Sequence, residues 1–221
     1  MTRRAAILLV LAGLAPGLFW RAPAAPENRE QSIDIRQLAL PPGCCRIGPV
    51  VVDQAWHLES RNGHFGGYSA LLAPAKGRLL AFSDNGLLLD LPVPARAGRV
   101  PARIGDLVTA RPRRKGCCDV ESATRDPATR RTWFAFEGSG AIQRRRADLS
   151  LEGEVRPQAL RGWPGNQGAE AMVRLPDGRF IVLGEAFAHR PAWQGHPALL
   201  FPADPLTGAR PAAFTFAGYP G

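Results

Sequence analysis

Acidic side chains recur at matching places in three similar stretches of this chain. In residues 68–85, 119–138 and 166–186, an apolar run leads into a turn, a second apolar run follows, and an acid closes it. The first runs align on Ser69, Glu121 and Glu170. The second runs then end, 15 or 16 residues later, on Asp84, Glu137 and Glu185. This spacing predicts that the acids meet at one end of repeated strands.

Carboxylates that converge repel one another, so they are costly to bring together unless a cation or an arginine lies among them. Hard oxygen ligands of this kind suit calcium, which takes about 6–8 oxygens. A bound divalent ion can hold a phosphate ester and polarise it toward attack by water. The candidate metal ligands are Asp84, Asp119, Glu121, Glu137, Glu170 and Glu185. The alternative is structural, because acids at strand ends also pair with arginine or cap turn amides.

The candidates for direct chemistry are fewer. Glu121 and Glu170 are the candidate catalytic carboxylates, and His64, in the loop before Phe65, is a third candidate. Asn85 and Asn166 are candidate substrate-binding residues because each lies beside the acids. Residues 67–71 (GYSAL) start like a nucleophile elbow but lack its second glycine, and no HExxH motif occurs.

The three copies start 52 and 49 residues apart, and a period near 50 with strand-like content is typical of β-propeller blades. Each copy continues beyond its closing acid with two more strand-like pieces, so four strands per unit are expected. Residues 49–60 predict one strand before the first repeat, placed to complete a blade begun at the other end of the chain. The predicted fold class is all-β, with four-stranded antiparallel blades around a channel.

The segments FGGYSALL, LLAFSDNG, DVESAT, WFAFEG, NQGAEAMV and PDGRFIVLGE together resemble the phytase-like propeller proteins, described as the esterase-like activity of phytase family. The resemblance covers roughly Trp56 to the C-terminus. It implies a calcium-dependent phosphohydrolase or esterase acting on a small anionic or ester substrate. In such proteins further blades follow the point where Gly221 ends this sequence, so we expect a C-terminally truncated chain with an incomplete ring. A non-catalytic binding propeller with structural acids is the competing hypothesis.

The N-terminal residues 1–26 predict a secretory signal, with Arg3 and Arg4 before an apolar run and Ala22-Pro23-Ala24 as the cleavage site. An uncleaved membrane anchor is the alternative, and either one predicts a periplasmic or secreted protein. Residues 27–47 are polar and contain proline, which predicts a linker, and residues 48–221 form the propeller domain. Export favours disulfides. The disulfide candidates are Cys44, Cys45, Cys117 and Cys118.

The net charge of +9 comes almost wholly from arginine, since Lys76 and Lys115 are the only lysines. An arginine-biased composition explains this charge, and attraction to small anions is the sharper interpretation. The basic residues are scattered without a binding motif, which predicts that nucleic acid is not a partner. The sequence indicates no oligomeric state.

Overall fold

The computed structural model describes residues 27–41, 46–107, 119–163, 168–185 and 195–217. Strands make up most of the regular structure of these residues, with 3₁₀ turns at Gln158–Leu160 and Pro205–Thr207. In chain order the strands are β1 (Ser32–Leu38), β2 (Arg46–Ile47), β3 (Val50–Val51), β4 (Ala55–Glu59), β5 (Tyr68–Ala75), β6 (Arg78–Ser83), β7 (Leu87–Pro92), β8 (Gly98–Pro101), β9 (Arg103–Asp106), β10 (Val120–Arg125), β11 (Thr132–Phe136), β12 (Ala141–Arg145), β13 (Leu151–Val155), β14 (Ala171–Arg174), β15 (Phe180–Leu183), β16 (His196–Phe201) and β17 (Ala212–Phe216). Over the described residues, no helix has the length and apolar character needed to cross a membrane.

Three antiparallel sheets of four strands form the repeats. Blade 1 has the order β5-β6-β7-β9, blade 2 the order β10-β11-β12-β13, and blade 3 the order β14-β15-β16-β17. In each blade every strand pairs antiparallel with the next strand of the order, as the four-strand repeat predicts. The predicted all-β fold class of four-stranded antiparallel blades is confirmed.

A three-stranded sheet, in the order β4-β1-β8, packs against blade 1, and we call it the N-terminal sheet because β1 and β4 come first in the chain. This sheet corrects the predicted linker, because residues 32–38 form β1 and bury Ile33 and Ile35. The alternation of apolar and polar residues in SIDIRQL is the strand signal that the flanking proline and polar residues obscured. The single strand predicted over residues 49–60 is also corrected. It divides into β3 and β4, and β4 pairs with β1, so it does not complete a distant blade.

The sheets stack face to face through three hydrophobic cores. One core joins the N-terminal sheet to blade 1, the second joins blade 1 to blade 2, and the third joins blade 2 to blade 3. Phe82 and Phe134 meet edge to face at 4.7 Å across the second core, and Trp133 and Phe180 meet at 5.0 Å across the third. These aromatic contacts fix neighbouring blades at a defined spacing.

The first strands of the blades, β5, β10 and β14, lie side by side. The adjacent ends of these three strands therefore lie along one edge of the stack, which we call the inner rim. On the opposite side, Asp204 joins blades 2 and 3, because its carboxylate accepts hydrogen bonds from Trp133 Nε1 at 3.0 Å and from Arg144 at 2.7 Å. The predicted signal segment, the four cysteines and Asn166 lie outside the described residues.

Candidate metal centre

Glu121 is placed by an irregularity in its strand. In the pairing of β10 with β11, Val120 lies opposite Phe136 and Ser122 lies opposite Ala135, so Glu121 is the extra residue of a β-bulge. Bulges bend a strand locally and turn the extra side chain to a new direction. The pairing of β5 with β6 breaks in the same way between Tyr68 and Ala70. Ser69 and Glu121 are thus equivalent, as the sequence alignment predicts.

Asp119 and Glu137 are brought together by a backbone hydrogen bond. The Glu137 N–H donates to the Asp119 carbonyl at 2.9 Å, which joins the start of β10 to the end of β11. The corresponding bond in blade 1 runs from the Asp84 N–H to the Gly67 carbonyl at 3.1 Å. Asp119 therefore occupies the place that Gly67 occupies in blade 1.

These three residues of blade 2 form what we call the carboxylate cluster. Oxygen atoms of Asp119, Glu121 and Glu137 all lie within 4.8 Å of one another, and each residue is half-buried. Repeated strand geometry alone places them, because one acid precedes β10, one lies in its bulge and one follows β11. The structure thus brings together three of the six predicted metal ligands in a group able to hold a cation.

Blade 3 contributes two further acids, Glu170 and Glu185, to the same rim. The Ser122 hydroxyl donates to the Ala169 carbonyl at 2.6 Å, and the Arg174 N–H donates to the Thr124 hydroxyl at 3.0 Å. These bonds tie both ends of β14 to β10, and Glu170, directly before β14, lies close enough for its charge to act on Glu121. Glu185 follows β15 in the same blade.

Gly168 makes the close approach of the two blades sterically allowed. A Cβ atom at this position would lie 3.0–3.1 Å from the Cγ, Cα and Cβ atoms of Glu137. Sequence reasoning missed Gly168 and Ser122 because neither residue type signals a contact between repeats. The glycine in the NQGAE stretch is the only local hint.

The electrostatics of the rim show mutual repulsion. Burial, followed by the charges of Glu170, Asp119 and Glu137, raises the pKa of Glu121 from 4.5 to about 7. Burial and the Asp119 charge raise the pKa of Glu137, although a hydrogen bond from the Gly168 N–H acts in the opposite direction. Burial and the Glu185 charge raise the pKa of Glu170. All five acids are therefore coupled through space, and a cation among them would be stabilised.

The arginines at the start of the second strand in each blade lie at the opposite end from the closing acids and pair with other carboxylates. Arg78 pairs with Asp90, Arg131 with Glu152, and Arg179 with Asp177. Each pair lies within a single blade. In the part of the chain that the structure describes, no ion pair involves the carboxylate cluster, Glu170 or Glu185. The structural alternative, in which arginine neutralises these acids, thus finds no support among these residues.

A cavity of about 250 Å³ adjoins the cluster. Glu137 and Gly168 form the wall that it shares with the cluster, and Leu160, Arg161 and Trp163 line other parts of it. It therefore offers apolar surface and one cationic side chain next to the acids, which is a suitable surrounding for an ester with an anionic group.

Three predicted site residues lie apart from the cluster. The Asp84 carboxylate accepts a hydrogen bond from the Asn85 amide at 2.9 Å and lies against Gly67, within blade 1. Asp84 is thus not a member of the carboxylate cluster, and Asn85 is engaged in the same turn. The His64 ring contacts the Glu27 carboxylate. Asn166 lies outside the described residues.

Fold and rim together define an all-β protein of repeated four-stranded blades with a carboxylate-rich centre between two of them. The chain belongs to the Phytase-like family, described as the esterase-like activity of phytase, whose sequence profile matches residues 63–220. The resemblance predicted from the repeated motifs is therefore confirmed. No curated protein matches the chain in sequence.

Solved structures similar to this chain include the following three proteins. Hsv2p from Kluyveromyces lactis is 14% identical, with 60% of this chain and 36% of that chain covered and a TM-score of 0.36. The hemopexin-fold protein CP4 from cow pea is 15% identical, with coverages of 67% and 66% and a TM-score of 0.41. The WD40 β-propeller domain of Doa1 is 13% identical, with coverages of 63% and 39% and a TM-score of 0.40. The match thus spans little more than a third of the Kluyveromyces protein's length.

Proposed function

We propose that the carboxylate cluster binds calcium and that the rim hydrolyses ester or phosphoester bonds of small anionic substrates. The observation that carries this proposal is the convergence of Asp119, Glu121 and Glu137 without an ion-pair partner among the described residues. Membership of the Phytase-like family supports the same class of chemistry.

The cluster fits calcium in ligand type and in size. Calcium prefers carboxylate and other hard oxygen atoms at about 2.3–2.6 Å, so two oxygens on opposite sides of one ion lie roughly 4.8 Å apart. The oxygens of the cluster lie within that distance. Three carboxylates supply only part of the six to eight oxygens that the ion takes, which leaves positions for water and substrate. A bound cation would also relieve the repulsion that raises the pKa of Glu121.

Calcium, when bound, supplies a positive charge that polarises the ester or phosphoester group. The chain itself must move protons, because water loses a proton as it attacks and the leaving oxygen gains one. Glu170 suits this role, since it is exposed on the rim beside the cluster and its pKa is raised. A pKa closer to the operating pH makes a carboxylate a better general acid and base. The adjoining cavity would hold the non-reacting part of the substrate against Leu160 and Trp163.

Two substitutions separate binding from chemistry. Glu137→Gln removes a ligand charge and is expected to weaken calcium binding about 10–100-fold in titration calorimetry. Glu170→Gln is expected to retain calcium binding and to lower the turnover of p-nitrophenyl phosphate or p-nitrophenyl acetate by about 10²–10⁴. The control is Glu59→Gln, which changes an exposed acid of the N-terminal sheet. Calcium affinity unchanged in Glu137→Gln contradicts the metal site, and turnover unchanged in both site variants contradicts the hydrolase.

The second candidate function is a non-catalytic binding propeller in which calcium is structural. It is favoured by the position of His64, which contacts Glu27, so that only carboxylates remain of the predicted catalytic set at the rim. In this case calcium raises the melting temperature, but neither ester is hydrolysed at a metal-dependent rate. Turnover that disappears with a chelator and returns with calcium would eliminate it.

We also propose export, on the basis of the predicted signal in residues 1–26. Outside the cytoplasm, calcium sites of about 10⁻⁴–10⁻³ M affinity are common among extracellular modules, and a site with three protein carboxylates suits that range. Fractionation of cells expressing the full chain, with mass spectrometry of its N-terminus, tests this proposal. Accumulation of the unprocessed chain in the cytoplasm would contradict it.

A further inference from the structure

The cavity beside the carboxylate cluster has a cationic side chain at its edge. Arg161 directly follows the 3₁₀ turn Gln158–Leu160 and lines this cavity. Arg131 and Arg144 of blade 2 each form an ion pair with Glu152. Arg161 is exposed and forms no ion pair with any residue that the structure describes. Its guanidinium is therefore available to a ligand in the cavity.

The apolar walls of the cavity are held in place by the packing of two blades. Leu160 is buried, and Trp163 packs against the core shared by blades 2 and 3. The Trp163 ring also lies against Gly184 of blade 3, where a Cβ atom would come within 2.8 Å of its Cζ3 atom. Walls that are already fixed need little ordering when a ligand binds, which favours affinity.

The size of the cavity suits one substituted aromatic ring. A cavity of about 150 Å³ holds a benzene molecule, and this one has a volume of about 250 Å³. A space of that volume is roughly 8 Å across, which is about the length of a para-substituted benzene. Glu137, a member of the carboxylate cluster, and Arg161 both line it. A single ring can therefore extend from the cluster to the guanidinium.

We propose that this cavity binds the leaving group of the substrate and that Arg161 selects esters and phosphoesters of hydroxy-aromatic acids. The inference rests on the proposed hydrolase function and adds the class of substrate. The ring would lie against Leu160 and Trp163, and its carboxylate would accept hydrogen bonds from Arg161. Water attacks the phosphorus or acyl carbon, the bond to the phenolic oxygen breaks, and that oxygen takes up a proton as the hydroxy-aromatic acid leaves.

The chemistry of the lining favours this class over other anionic esters. A guanidinium is planar and matches a carboxylate with two parallel hydrogen bonds. A ligand that is charged all round would bring charges against Leu160 and Trp163, which costs free energy. A ring with one anionic group at its far end instead places apolar atoms against apolar walls and its charge beside Arg161.

Hydrolysis of a matched pair of phosphoesters by the full chain with calcium tests the proposal. Para-carboxyphenyl phosphate and para-carbamoylphenyl phosphate differ by one charge at the far end of the ring. We expect the ratio of their kcat/KM values to fall about 10–100-fold in Arg161→Gln, because a charge-assisted pair is lost. Arg161→Lys should retain part of the preference, since it keeps the charge but not the planar fork. Arg210→Gln is the matched control, because Arg210 is another exposed arginine but lines a different cavity, and it should leave the ratio unchanged.

Binding of the released product gives a second measurement that needs no turnover. We expect para-hydroxybenzoate to bind with a Kd of about 1 mM in a ligand-observed NMR titration. Arg161→Gln should raise this Kd at least fivefold, whereas Trp163→Leu should weaken the binding of para-hydroxybenzoate and of uncharged para-hydroxybenzamide alike. Circular dichroism establishes that the variants fold.

The outcomes separate this inference from the hydrolase itself. If neither phosphoester is hydrolysed with calcium, the hydrolase is wrong, and the dependence of para-hydroxybenzoate binding on Arg161 still decides whether the cavity takes aromatic acids. If both are hydrolysed in a ratio that Arg161→Gln does not change, the hydrolase stands and the inference is overturned. Para-hydroxybenzoate that does not bind, or that binds equally well to Arg161→Gln, also overturns it.

Discussion

Blades 1 and 2 have the same backbone at the inner rim but very different chemistry. Both contain a bulge in the first strand, at Ser69 and at Glu121. Both also close the first hairpin with the same backbone hydrogen bond, to Gly67 in one and to Asp119 in the other. The repeat therefore supplies a scaffold, and the side chains on it decide whether a cation site forms.

Asp84 shows that one acid at the hairpin end does not make a site. It occupies the position that Glu137 has in blade 2, but its neighbours are Gly67 and Ser69 rather than two further acids. Its oxygen lies where a Cβ on Gly67 would come within 2.8 Å, and it accepts a hydrogen bond from Asn85. The carboxylate is thus engaged inside its own turn.

The strongest test of this contrast gives blade 2 the residue of blade 1. Glu121→Ser removes one of three clustered carboxylates, and we expect calcium affinity to fall about 100-fold, or roughly 2.7 kcal/mol. Ser69→Ala is the matched control, since it changes the same bulge position in blade 1 and should leave calcium affinity unchanged. Titration calorimetry on metal-free protein measures both. Equal affinity in Glu121→Ser and the wild type would show that Glu121 is not a ligand.

The second test disturbs the contact through which blade 3 reaches the cluster. Gly168→Ala places a methyl group within 3.1 Å of the Glu137 backbone, so one of the two segments must shift. We expect a loss of about 1–2 kcal/mol in the free energy of unfolding and a calcium affinity about tenfold lower. Gly162→Ala is the control, because its methyl group would meet no atom within 4 Å. Denaturant unfolding and calorimetry give the two values, and identical results for both variants would contradict a tight contact at Gly168.

Much of the scaffold could be predicted from the sequence because it repeats. The period, the four strands of each blade and the equivalence of Ser69 with Glu121 follow from alternating apolar runs and their spacing. The N-terminal sheet could not be predicted in the same way. Its strand β1 has no counterpart in the repeats, and its partner β8 lies within blade 1's sequence but leaves that blade.

The types of residue that form the site could be predicted from the sequence, but not which of the predicted acids belong to it. Repeat alignment treats Asp84 and Glu137 as equal, and only the side chains at the neighbouring positions separate them. The contacts between blades, such as Ser122 with Ala169, join residues 47 positions apart that carry no shared motif. Spacing within one repeat cannot specify such contacts, because they depend on how neighbouring blades stack.

The pH dependence of stability should also distinguish the two blades, because Glu121 of blade 2 can titrate and Ser69 of blade 1 cannot. The folded-state pKa of Glu121, about 7, exceeds its ordinary value of 4.5, so the folded protein binds more protons between these values. The free energy of unfolding of the metal-free protein therefore falls as pH rises from 4.5 to 7. Solvent around this half-exposed group weakens the effect, so we expect the free energy of unfolding to fall by about 1 kcal/mol over this range.

Thermal unfolding of the metal-free wild type and Glu121→Gln from pH 5 to pH 8 measures this contribution. We expect the melting temperature of the wild type to fall by about 2–4 °C more than that of the variant over this pH interval. Calcium should oppose the loss at the upper end, because it competes with protons for the same oxygens. Parallel melting curves for the two proteins at all pH values would show that Glu121 does not titrate in this range.

The smallest expected effect is that of Asp84→Asn, and it decides where the cation site ends. Because the Asp84 carboxylate is engaged by Asn85 and lies outside the cluster, we expect calcium affinity to change less than about twofold, or roughly 0.4 kcal/mol. Glu137→Gln, at the equivalent position of blade 2, provides the comparison. A loss in Asp84→Asn as large as in Glu137→Gln would mean that blade 1 also contributes a ligand. The two blades would then differ only in how strongly each contributes to calcium binding, and all six acids of the repeats would belong to one cation site.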